Sequence, residues 1–126
     1  MTANVDSGQR IRAARRAAHP GAVVFVTGAG RGIGRTIAGR LSAEGASIAM
    51  LARSRMELDA AAASIRASGG NVIAIPTDIA DPSQVIAAID EAEAVLGPIS
   101  ILVNNATISP ATDLVRGSFE AWEAVI

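Results

Sequence analysis

Thr27-Gly28-Ala29-Gly30-Arg31-Gly32-Ile33-Gly34 decides how this chain of 126 residues is read. It follows the apolar run Val23-Val24-Phe25-Val26 and precedes a segment of helical period, so it is the turn between a strand and a helix. Glycines suit such a turn because the chain must leave the strand sharply and the helix must pack closely on it. A bound group can also approach the backbone there with no Cβ in the way. Amides released at the helix start carry the positive end of its dipole and make a seat for a diphosphate. The glycines do not follow G-x-G-x-x-G in any register, because Ile33, Arg35 and Ile37 stand where the last glycine would fall. They follow T-G-x-x-x-G-x-G. Glycine spacing alone would also fit an ordinary turn; the strand before, the helix after and the repeat beyond favour dinucleotide binding.

That repeat continues along the chain. Short apolar runs at 23–26, 47–51, 72–75 and 99–103 alternate with helix-length segments, and the runs lack polar alternation. Strands of this kind are buried on both faces of a parallel sheet, which predicts an α/β architecture. In the first helix Ile33, Ile37 and Leu41 stand on one face and Gly45 supplies a left-handed stop. The second opens on Ser54-Arg55-Met56-Glu57, a capping box, and closes at Gly69-Gly70, with the alanines at 60–63 as a small-residue face. The third starts at Asp81-Pro82, is expected to bury Val85, Ile89, Ala92 and Leu96, and ends at Gly97-Pro98. A turn-rich stretch at 108–117 and a helix start at Ser118 follow.

Composition narrows the chemistry. Half of the residues are hydrophobic, 18% are charged and the net charge is −1, which excludes a disordered chain and a wholly basic surface, so no nucleic-acid partner is expected. Without cysteine there are no disulfides or thiol nucleophiles, and His19 is the one histidine, so no metal site is expected. All eleven basic residues are arginine and there is no tyrosine. Residues 1–20 hold four arginines against one aspartate, whereas 21–126 hold seven against eleven acids. The first segment reads as an Arg-rich, disordered tail or the product of an upstream start codon. It has some flavour of a transit peptide, but no apolar h-region follows. No apolar run approaches the ~20 residues of a membrane span, so a cytoplasmic protein with no membrane partner is expected.

A binder of NAD carries Asp or Glu about 20 residues past the glycines, on the ribose 2′-hydroxyl. Here the second strand ends in Ala52-Arg53-Ser54, and no acid occurs between Glu44 and Glu57. Arg53 offers a planar fork to a 2′-phosphate and Arg31 in the loop could face the same group, so NADP is favoured over NAD, although both arginines would also serve as plain surface charge. Asn104-Asn105-Ala106 closes the fourth strand. By itself it is an ordinary polar turn.

The T-G-x-x-x-G-x-G loop, Asp78 after the third strand and Asn104-Asn105-Ala106 after the fourth together resemble the short-chain dehydrogenase/reductase family, in its classical subfamily, from about Val23 onward. The resemblance implies a Rossmann-type doubly wound parallel sheet, here incomplete at about four strands in order 3-2-1-4, and reversible hydride transfer between NAD(P)(H) and an alcohol or carbonyl. It implies that Gly28, Gly32 and Gly34 line the pyrophosphate, that Ile33 contacts the cofactor through its amide, and that Asp78 and Ile79 sit beside the adenine. Asn104 to Ala106 would brace the sheet near the nicotinamide ribose. Thr107 stands where the family has glycine.

Members of the family run to about twice this length, so 21–126 is expected to be a truncated NAD(P)-binding domain. The family's catalytic Ser and Tyr-x-x-x-Lys fall outside the sequence, and no catalytic residue is assigned; Ser109, Asp113 and Glu120 read as loop or cap residues. A small alcohol or carbonyl substrate would need the missing half, and no oligomeric state can be argued. The other reading is a non-catalytic dinucleotide-binding module or an inactive truncated product. In either case the fourth strand is expected to show a bare edge.

Overall fold

The computed structural model describes residues 20–106, so most of the Arg-rich tail, the 108–117 stretch and the Ser118 helix start lie outside the described residues. Four strands and three helices alternate: β1 (Val23–Thr27), α1 (Gly32–Ala43), β2 (Ser47–Ala52), α2 (Arg55–Ala67), β3 (Val72–Pro76), α3 (Pro82–Leu96) and β4 (Ile101–Val103). The sheet is parallel in the order β3-β2-β1-β4. This is the doubly wound arrangement expected, with β1 and β2 at the centre.

All five residues of β1 are buried. Alternate side chains feed two cores. Val24, Val26, Ile48, Met50 and Val72 meet α1 and α2 on one face, while Phe25, Ala49, Leu51 and Ile75 meet α3 on the other. Three strands run one residue further than the apolar pattern predicts, through Thr27, Ala52 and Pro76, because the ladder to the neighbouring strand continues there. The fourth begins two residues late, at Ile101. Its lead-in is still tied down, since Ser100 N–H donates to the Val23 carbonyl at 3.0 Å. Pro76, which has no N–H to donate, is tolerated on the edge strand β3. β4 forms the opposite edge, and its Leu102 is exposed.

Two helix faces differ from the expected ones. The buried stripe of α1 is Gly34 and Ala38, with Leu41 partly buried, and Ile33 is 72% exposed. The face is turned by about one residue, 100°, because the helix begins so close to β1 that only small residues fit beneath it. In α3, Ala88 joins Ala92 in the core, whereas Val85, Ile89 and Leu96 are only half-buried. α2 buries Leu58, Ala61, Ala62 and Ile65, placing half of the alanine run against the sheet.

The helix ends follow their sequence signals closely. α1 and α2 both close in Schellman motifs: Gly45 N–H bonds to Ser42 O and Ala46 N–H to Leu41 O, and the same pair of bonds recurs from Gly69 to Arg66 and from Gly70 to Ile65. Gly45 and Gly69 sit at φ +97° and +86°, where a side chain would be strained. At the start of α3 the Asp81 carboxylate accepts from the Ser83 hydroxyl at 2.7 Å, from Gln84 Nε2 at 3.1 Å and from Ser83 N–H at 3.0 Å. Those bonds, the Ser83 hydroxyl first, hold its pKa below the usual aspartate value.

A carboxylate whose pKa is lowered on folding contributes stability above its unfolded value, and loses it as the pH falls through the folded one. Asp81→Ala is therefore expected to lower the urea midpoint at neutral pH, with the gap to the parent chain closing on acidification below the carboxylate range.

Candidate cofactor site

The strand order reverses between β1 and β4, and in open α/β sheets ligands bind outside the carboxyl ends of the strands at such a point. The Thr27 side chain joins the two strand ends there. The buried Thr27 hydroxyl accepts from the N–H groups of Asn105 and Ala106, each at 3.0 Å, and lies 3.4 Å from the Val103 carbonyl, to which it donates. One donor and two acceptors are all that a hydroxyl has, and each is used. Asn105 Nδ2 adds a bond to the Gly28 carbonyl at 3.3 Å.

The four glycines of the loop answer to different constraints. A Cβ on Gly28 would stand 2.9 Å from Ala106 Cα, and its φ is +63°. On Gly34 it would overlap the Gly28 carbonyl oxygen and come within 2.5 Å of Asn105 Nδ2. These two glycines let the loop, the start of α1 and the β4 turn meet. Gly30 packs against Ala52 and Glu57, while Gly32 has φ +58° and only open space where a Cβ would be.

Helix α1 starts without a cap. Arg31 in the cap position offers no side-chain bond, and the first turn holds no acid. Among the described residues the N–H groups of Gly32, Ile33 and Gly34 donate no hydrogen bond. By contrast, Ser54 caps α2 through Glu57 N–H at 3.3 Å and Asp81 caps α3. Three free amides at the positive end of a helix, beside a backbone cleared of side chains, fit a diphosphate.

Around this cradle the expected residues fall as follows. Arg31 and Arg53 are exposed and make no ion pair among the described residues. The loop lies over the end of β2, since Ala29 N–H donates to Leu51 O at 3.0 Å, so the two arginines leave from adjoining backbones. Asp78 is half-buried. Its Oδ1 accepts from Ala80 N–H at 3.0 Å and its own N–H donates to Gln84 Oε1 at 2.9 Å, which shapes the β3–α3 loop, and Ile79 is 47% exposed. Asn104 is exposed; the bracing of the sheet is done by Asn105 and the Ala106 amide.

The sequence reading missed three participants. Thr27 and Asn105 were visible as parts of motifs, but their bonds link residues some 78 positions apart. Glu57 was assigned to the capping box. Only the serine half of that box forms, and the carboxylate lies against Gly30 instead, Oε2 being 3.3 Å from where a Cβ would stand. A groove of about 790 Å³ between α1 and α2, lined by Arg35, Ser64 and Gly70 among others, includes none of the expected residues, and it reaches the carboxyl ends of the helices, away from the cradle.

The model of the short-chain dehydrogenase family matches residues 22–126. The chain belongs to this family. It is 41% identical over 99 residues to a ketoacyl reductase of Nostoc, covering 79% of this chain and 33% of that protein. A 3-oxoacyl-acyl-carrier-protein reductase of Staphylococcus aureus is 40% identical over 103 residues, 81% of this chain and 42% of its own length. Among solved structures, a short-chain dehydrogenase of Burkholderia cenocepacia in complex with NADP superposes with TM-score 0.75 and 40% identity, over 85% of this chain and 44% of that one. A blue fluorescent protein from a metagenomic library, in complex with NADPH, gives 0.73 and 40%, over 84% and 44%. This chain thus spans less than half the length of these relatives.

Gly34→Ala forces its methyl into backbone and is expected to cost about 3 kcal/mol. Gly32→Ala meets no atoms and is expected to cost about 1 kcal/mol from its φ alone. Urea melts of the two variants side by side check this, and equal losses would show that contact with Gly28 is not what requires glycine. Thr27→Val keeps the shape and strands two amides, so a loss of about 2 kcal/mol is expected in the same assay.

Proposed function

We propose that this chain is the cofactor-binding part of an NADP(H)-dependent oxidoreductase, which exchanges a hydride between the cofactor and an alcohol or carbonyl compound. Residues 21–126 make up the NAD(P)-binding domain and residues 1–20 a tail outside it. The observation that carries the reading is the uncapped start of α1, where the amides of Gly32, Ile33 and Gly34 have no partner among the described residues and a side chain at Gly32 would meet only open space. Gly28, Gly32 and Gly34 shape the pyrophosphate seat, and the Ile33 amide donates to it. Asp78 and Ile79 flank the adenine, and Asn104 and Ala106 border the nicotinamide ribose on the turn that Thr27 holds.

NADP rather than NAD is the cofactor of this reading. Arg53, at the end of β2, and Arg31, in the loop, form a charge pair of the kind that grips a phosphate by planar forks. Two solved relatives that hold NADP or NADPH at 40% identity support it. When bound, the dinucleotide supplies or accepts the hydride. These residues bind and orient it; the acid–base step falls to the Tyr and Lys of the family's catalytic group, residue types this sequence does not contain. The reductase names of the relatives favour an enzyme over a non-catalytic module. A cytoplasmic setting belongs to the same reading; among the described residues no helix is long and apolar enough to cross a membrane.

Titration of the protein with NADPH and NADH, followed by reduced-nicotinamide fluorescence, tests the reading. NADPH is expected to bind the more tightly, and Arg53→Asp to weaken NADPH about 10-fold more than NADH. Equal weakening of both would remove Arg53 from the 2′-phosphate, and silence from a folded sample would remove the site.

A further inference from the structure

We propose that Glu57 is a specificity residue of the cofactor site, its carboxylate at the joint between the glycine loop and the end of β2 tempering the preference for a phosphate over a hydroxyl at the ribose 2′ position. The proposal rests on the dinucleotide reading above. Counting along the chain leaves the end of β2 without an acid, since Glu57 falls too far beyond the glycines and inside a helix. Folding reverses that. The first turn of α2 brings Glu57 onto the loop, so that a Cβ at Gly30 would stand 3.1 Å from Glu57 Cβ, 3.3 Å from Oε2 and 3.4 Å from Ala52 Cβ.

Gly30 precedes Arg31 and Ala52 precedes Arg53. The residues that precede the two arginines therefore lie close together, and Glu57 is the acid beside them. Among the described residues its carboxylate has no ion-pair partner. Ser54 is capping α2 through the Glu57 amide, not the side chain, and the ion pairs among the described residues join Arg40 to Glu44 and Arg55 to Asp59. A half-buried carboxylate accepts a hydrogen bond from a ribose hydroxyl and repels a phosphate. The cluster thus holds two charges that favour NADP and one that favours NAD, and the carboxylate keeps NADH within the range of the site.

Dissociation constants for NADPH and NADH, measured by fluorescence on the parent chain, Glu57→Gln, Glu57→Ala and Arg53→Ala, decide the matter. Gln keeps the shape and the backbone cap while removing the charge, so the ratio of the NADH to the NADPH constant is expected to rise about 5-fold, the size of one partly screened charge interaction. Ala removes the packing as well and is expected to move the ratio the same way, so either variant is decisive. An unchanged ratio in a variant that still binds NADPH overturns the proposal and leaves Glu57 as packing for Gly30. Arg53→Ala reports on the underlying reading separately: a ratio unmoved there but raised in Glu57→Gln removes Arg53 from the phosphate and supports Glu57. A parent chain that binds neither dinucleotide overturns both.

Discussion

The start of α1 lies so close to the end of β1 that no side chain fits between Gly34 and the Gly28 carbonyl. Much of the site depends on that approach. It sets the helix down on the sheet with only Gly34 and Ala38 fully buried in its contact stripe, and among the described residues the amides of residues 32–34 are left without a partner. A side chain at 34 would lift the helix and break the Asn105 contact with Gly28 at the same stroke. The uncapped, uncrowded helix start is therefore a by-product of tight packing as much as of glycine flexibility.

The Thr27 hydroxyl secures the other side of the same corner. β4 is a three-residue strand at the sheet edge, which by itself gives little to hold the turn that follows it. Three hydrogen bonds to one buried hydroxyl fix that turn over Gly28, at the reversal of strand order, so the crevice has a firm wall on the β4 side. On the β2 side the exposed Arg31 and Arg53 and the Glu57 carboxylate make the corner charged. Under the proposed reading, the hydrogen-bonded side of the crevice would meet the diphosphate common to both cofactors and the charged side the ribose position at which they differ.

Most of the fold was legible in the residues. Four apolar runs without polar alternation foretold the parallel sheet, although burial is complete only in β1 and no residue of β4 is buried, and Gly45, Gly69-Gly70, Ser54 and Asp81 marked helix ends that the structure keeps. What misled was the face of α1. Ile33, Ile37 and Leu41 have helical spacing, yet hydrophobicity does not report the clearance beneath a helix, and with so little clearance the glycine and the alanine turn inward. The turn after β4 was read by its motif, but the motif could not say which asparagine works. Asn104 faces solvent and Asn105 braces the loop, because successive residues at a strand end point to opposite sides.

Local signals such as caps, stops and the strand–glycine–helix succession depend on residues within a turn or two of each other, and for these the order of amino acids was sufficient. Contacts between distant segments were beyond it. That Thr27 bonds to residues 105 and 106, and that Glu57 comes to rest on Gly30 rather than closing its capping box, followed only once the strands had taken their places side by side. Sequence spacing measures distance along the chain; hydrogen bonds and charge interactions act through space, and in a parallel sheet each neighbouring strand is a whole crossover away.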